Sequence, residues 1–151
     1  MKSTRGLRVA LSIAVLGITG ISSGLVSVAA ASATTGPKLV VTPSTNLHNG
    51  EIVHVTGSGF TPGDSVYVVE CTAIAKGAAG CNIQGAIAKT ISSTGHLPKT
   101  AFKVTTGKVG TGTGAGKCGT NKYNLRSCAM SVGNALGADS AVGRIAFKAV
   151  G

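Results

Sequence analysis

The chain has 151 residues, room for one domain. Fourteen basic residues stand against four acidic ones, a formal charge of +10. So few carboxylates argue against carboxylate-rich metal sites and paired-acid catalysis, and an aromatic content of 3% leaves a modest core.

Residues 1–33 read as a secretory signal peptide. Lys2, Arg5 and Arg8 form a basic start, an uncharged stretch runs over residues 9–33, and Ala31-Ser32-Ala33 is an A-x-A-type cleavage site. The alternative is a retained membrane anchor. The stretch is long enough, but Gly17, Thr19, Gly20, Ser22, Ser23 and Gly24 interrupt it. Cleavage leaves a soluble domain at residues 34–151, secreted to the medium or the cell wall, with no later segment suited to crossing a membrane. Without Lys2, Arg5 and Arg8 it has eleven basic residues against four acidic ones, a net charge of +7. These charges are scattered from Lys38 to Lys148. They describe a solvated cationic surface that also suits DNA or other anionic polymers.

Residues 38–42 alternate weakly and meet Pro43, as an edge strand does. Asn46-Leu47-His48-Asn49-Gly50 is a turn. Ile52, Val53, Val55 and Thr56 form a β-branched run ended by Gly57 and Gly59. Thr61-Pro62-Gly63-Asp64 is the next turn, and residues 65–71 alternate as a half-buried strand. Beyond Cys81, one short strand is expected within 83–91, a turn at Ser92-Ser93-Thr94-Gly95, and a strand over 97–105. Residues 107–119 are glycine-rich and read as a long loop. Residues 129–132 and 145–150 read as the last two strands. The pattern is all-β, a seven-stranded immunoglobulin-like Greek-key sandwich.

The four cysteines of an exported chain belong in an oxidising compartment. They allow three connectivities. Spacing favours Cys71–Cys81 and Cys118–Cys128, each closing a loop that adds about 2–3 kcal/mol. A zinc site would want short C-x-x-C knuckles with histidines nearby, and the chain has neither.

No catalytic constellation emerges. Residues 111–118, TGTGAGKC, superficially match a phosphate loop but fail at Thr111 and Cys118. His48, His54 and His96 lack an acid at useful spacing. Of Glu51, Asp64, Glu70 and Asp139, Glu70 beside Cys71 is near the expected cleft and is as easily a solvent-facing strand residue. The chain is expected to be a binding protein and not an enzyme, with no metal and no obligatory cofactor.

Four features carry a family resemblance: VTPSTNLHNG, VHVTGSGFTPGDSVYVVEC, the ten-residue step from Cys71 to Cys81, and the closing C…SVGNALGADSAVGRIAF. Together they resemble the neocarzinostatin family, the secreted apoproteins of enediyne chromoprotein antibiotics. The resemblance spans nearly all of residues 34–151, close in the first half and loose between Ile83 and Lys117. It implies a monomeric sandwich with a cleft that holds and protects a non-covalent enediyne-like chromophore, then releases it to cut DNA. It places the cleft floor at Cys71 and Cys81. The family's aromatic or bulky positions fall at Ala73, Ala79 and Ala86, and the closing-strand wall falls near Ser131 and Gly133. Alanine at three such positions implies a wider, shallower apolar hollow without stacking rings. The family's antibiotic carriers are acidic, whereas this chain is basic. The expectation is an antibacterial carrier of an apolar small molecule. The alternative is a cationic module that binds cell-wall, membrane or host polymers and leaves the cleft empty.

Overall fold

The computed structural model describes residues 36–73, 75, 77–119 and 128–148. The expected leader, its cleavage site and Tyr123 lie outside them. Among the described residues nine strands follow in chain order: β1 (Lys38–Thr42), β2 (Ile52–Ser58), β3 (Ser65–Thr72), β4 (Ile87–Thr90), β5 (His96–Lys103), β6 (Gly107–Val109), β7 (Gly116–Cys118), β8 (Cys128–Gly133) and β9 (Ser140–Ile145).

Seven of them make the two faces of a sandwich. One sheet has the order β1-β2-β5 and the other β4-β3-β8-β9, with every pairing antiparallel. The chain leaves β2 for the other sheet and returns to pair β5 against β2. It likewise leaves β3 and returns to pair β8 against it. These crossings give the Greek-key arrangement expected from the strand count.

Period-two alternation sets what lies between the sheets. Val53 and Val55 of β2 meet Val66 and Val68 of β3 and Met130 and Val132 of β8 in one buried cluster. Phe60, Phe102 and Phe147 fill its larger gaps, each 3% exposed. Both disulfides form, Cys71–Cys81 and Cys118–Cys128, and among the described residues no cysteine is free.

Turn chemistry fixes the strand ends. Asp64 N–H donates to Thr61 O at 3.2 Å and Gly95 N–H to Ser92 O at 3.0 Å, closing the two turns the sequence marks. Gly57 sits at a β-bulge in β2. A Cβ there would lie 2.7 Å from the Phe60 ring and 2.8 Å from Lys38 O, so the bulge needs glycine.

Two expectations are corrected. Residues 107–119 are not an open loop: β6 and β7 pair as a two-stranded ribbon, joined through a 3-10 turn at Gly112–Gly114. Its glycines serve close approach, since a Cβ on Gly114 would lie 2.6 Å from Ala79 Cβ and one on Gly116 would overlap Thr72 Cγ2. The last strand among the described residues is Ser140–Ile145, which ends where the strand at residues 145–150 was expected to begin; residues 149 and 150 lie outside the described residues. Its inward positions are Ala141, Gly143 and Ile145. Gly143 is small because Val41 and Leu39 of β1 press on it, so an apolar run does not mark this strand.

Candidate functional site

The site begins with the alternation of β3. Val66, Val68 and Glu70 point into the sandwich and are fully buried. Tyr67, Val69 and Cys71 therefore face outward. Register carries that outer face across the sheet: Tyr67 pairs with Gly133 and Gly133 with Ser140; Val69 with Ser131 and Ser131 with Val142; Cys71 with Ala129 and Ala129 with Arg144. On the other side Tyr67 pairs with Ala88.

Two segments wall this face. The Cys71–Cys81 bridge holds the segment with 3-10 turns at Ala78–Gly80 and Ile83–Gly85. Opposite lies the β8–β9 connection, which carries Leu136 at 89% exposure. Between them is a hollow of about 630 Å³, within the range of small-molecule sites. Among the described residues that line it, none is charged. Ala73, Ala75, Ala86, Ala88 and Ala129 keep it wide, and Tyr67 is its aromatic ring.

Hydrogen bonds hold the Leu136 side in place. Ala138 N–H donates to Asn134 Oδ1 at 3.2 Å, closing the connection on itself. Asn134 Nδ2 donates to Asp64 Oδ2 at 3.2 Å, and Thr61 N–H donates to Asp139 Oδ2 at 2.8 Å. Two of the chain's four acids thus pin this wall to the β2–β3 turn. A third, Glu51, accepts from His48 N–H at 2.7 Å.

The fourth acid decides against the solvent-facing alternative for Glu70. Glu70 is fully buried under the hollow's floor strand. Its Oε2 accepts from Thr105 N–H and Thr105 Oγ1, both at 3.0 Å, and its Oε1 has no partner. Burial pushes its carboxyl above the ordinary value of 4.5, and the two Thr105 bonds oppose the rise.

Cys71, Ala73, Cys81, Ala86, Ser131 and Gly133, the positions expected in a cleft, all line the hollow. Ala79 does not. It packs against Gly114 of the ribbon, and its carbonyl accepts from Thr111 N–H at 2.8 Å. The sequence reading missed Tyr67, Val69, Ile83 and Leu136. Tyr67 and Val69 were accessible to it, since they share Cys71's side of the strand. Ile83 and Leu136 depend on loop paths that strand periodicity does not describe.

Among the described residues no group of three or more His, Cys, Asp or Glu side chains could hold a metal ion. None of their helices is long and apolar enough to cross a membrane. The arrangement offers an apolar, uncharged, open-sided receptacle with a disulfide in its floor.

The sequence model of the neocarzinostatin family matches residues 39–147. Macromomycin from Streptomyces macromomyceticus is 28% identical over 127 residues, covering 81% of this chain and 85% of macromomycin. A solved structure of macromomycin superposes with a TM-score of 0.59 at 30% identity, over 74% of this chain and 99% of that one. The solution structure of apokedarcidin gives a TM-score of 0.49 at 28% identity, over 76% and 99% of the two chains.

Proposed function

The chain is a member of the neocarzinostatin family, and on that premise we propose that it is an exported apoprotein whose hollow carries an apolar small molecule, an enediyne-type antibiotic or a compound used in the same way. The observation that carries this reading is the uncharged hollow of about 630 Å³ on the outer face of β3, β8 and β9. Sheet faces in small sandwiches are ordinarily covered by polar residues. Here Tyr67, Val69, Ala88 and Val142 form an apolar face under two walls. An apolar body settling there gains about 25 cal/mol for each Å² removed from water.

The protein's part is binding, shielding and release. The Cys71–Cys81 bridge gives a floor that does not open with side-chain motion. Asn134 and Asp139 hold one wall, and Leu136 lies over solvent where it can close on a ligand. Action on DNA, in this reading, belongs to the released ligand. The leader of residues 1–33 provides the export route.

Fluorescence titration with the neutral probe N-phenyl-1-naphthylamine tests the reading. The protein should enhance the probe's emission saturably. Ala86→Glu, which puts a charge into the hollow, should abolish the enhancement, and Thr111→Glu on the ribbon should not. Absence of uptake by the unmodified protein would refute the carrier role.

A second reading rests on the charge. Eleven basic residues stand against four acidic ones over residues 34–151, and the four acids accept hydrogen bonds within the chain, so the excess of positive charge suits anionic polymers. Such binding should be weak and fall steeply with salt. Tight, salt-indifferent binding to DNA would remove this electrostatic account.

A further inference from the structure

We propose that the ligand is an amphipathic anion, with its acidic group seated at Arg144 and its apolar body in the hollow; this rests on the carrier reading above.

Arg144 pairs with Ala129, which pairs with Cys71. It thus continues the row of the sheet that forms the hollow's floor. It lies two residues beyond Val142 on the same strand, and Val142 lines the hollow. Residues i and i+2 of a strand share a face, so the guanidinium stem rises at the hollow's edge. On this outer face the registers also place Ser65, Tyr67, Val69, Ala88, Thr90 and Ser140. Arg144 is its one charged residue among those described.

Arg144 is exposed, and the acids are engaged elsewhere. Glu51 bonds His48, Asp64 bonds Asn134, Glu70 bonds Thr105 and Asp139 bonds Thr61. Arg144 stands one strand beyond Ala129, at the border of the hollow and outside its lining, with its donors available. It also lines a second depression of about 390 Å³ with Ser44, Thr45 and Asn46, whose hydroxyls and amide add donors beside it. A planar fork of N–H groups with neighbouring hydroxyls suits carboxylate, sulfonate or phosphate oxygens. The same placement repels a ligand whose cationic end lies there. The chemistry fits an acid with a rigid apolar body.

A matched probe pair isolates the anion. 8-Anilinonaphthalene-1-sulfonate and N-phenyl-1-naphthylamine share one apolar body and differ by the sulfonate. The unmodified protein should bind the sulfonate about 1.5- to fivefold more tightly, the range of an exposed charge pair. Arg144→Gln should erase that preference and leave the neutral probe's affinity unchanged. Arg144→Lys should restore part of the preference. Lys99→Gln, on the opposite sheet, should leave it intact. Equal affinity for the two probes, or a preference that survives Arg144→Gln, overturns the assignment. Equal loss in Lys99→Gln also overturns it, by showing a diffuse charge effect. Failure to bind either probe refutes the carrier reading and this inference together, whereas uptake of the neutral probe alone refutes only the anion.

Discussion

Thr105 donates both its backbone N–H and its hydroxyl to Glu70 Oε2, at 3.0 Å each. The pair ties the segment between β5 and β6 to the strand that floors the hollow. The other carboxyl oxygen, Oε1, is buried without a partner. Desolvation therefore outweighs the two bonds, and the folded state holds the Glu70 proton more tightly than the unfolded chain does. The stabilisation from that proton is full below the ordinary value of 4.5 and is lost as pH rises through the raised folded value. Urea unfolding of the native protein and Glu70→Gln from about pH 4 to about pH 8 checks this. The native protein should lose stability relative to Glu70→Gln as pH rises. A difference that stays flat would show that Glu70 titrates alike in both states.

The Cys71–Cys81 bridge serves stability and the hollow together. Replacing both cysteines with alanine releases a ten-residue loop and should cost about 2–3 kcal/mol. The same change frees the wall bearing Ile83 and Ala86. Probe affinity should therefore fall in the double variant even at temperatures where it remains folded. Replacing Cys118 and Cys128 should cost similar stability and leave probe affinity near that of the native protein.

Asp139 anchors the opposite wall through Thr61 N–H. Asp139→Ala leaves that N–H without its charged acceptor and should destabilise the fold by about 1–3 kcal/mol. Asp139→Asn keeps an acceptor oxygen and should recover part of the loss. Hydrogen exchange at Thr61 should accelerate in the alanine variant, and unchanged exchange there would contradict the assigned role.

The ribbon docks on the Ala79 segment through glycine. Gly114→Val would drive side-chain carbons into Ala79 and should expose residues 107–118 to proteolysis. Thr113→Val at the neighbouring, exposed position should not.

Most of the sandwich was legible because its strands advertise themselves. Val53 and Val55 alternate with exposed or half-buried neighbours, Val66 and Val68 flank the exposed Tyr67, and Asn49-Gly50 and Pro62-Gly63 punctuate them. β9 was misplaced because its inward side chains are small, and the ribbon was missed because glycine that permits close packing looks like glycine that permits a loop. Of the expected cleft positions, Ala73 follows Cys71 by two residues, and Ser131 and Gly133 share its face by register, while Cys81 and Ala86 reach the hollow through the bridged segment. Ala79 lies outside the hollow because the turn Ala78–Gly80 sets it against the ribbon, a path strand periodicity does not specify.

The most direct test of the carrier account is the mass of the intact protein recovered from the organism that encodes it. Native mass spectrometry of the protein so recovered should show a small molecule bound one to one, extractable into organic solvent and missing from Ala86→Glu made in the same organism. An unliganded protein under conditions where the organism makes its secondary products, or an adduct that persists undiminished in Ala86→Glu, would contradict the account.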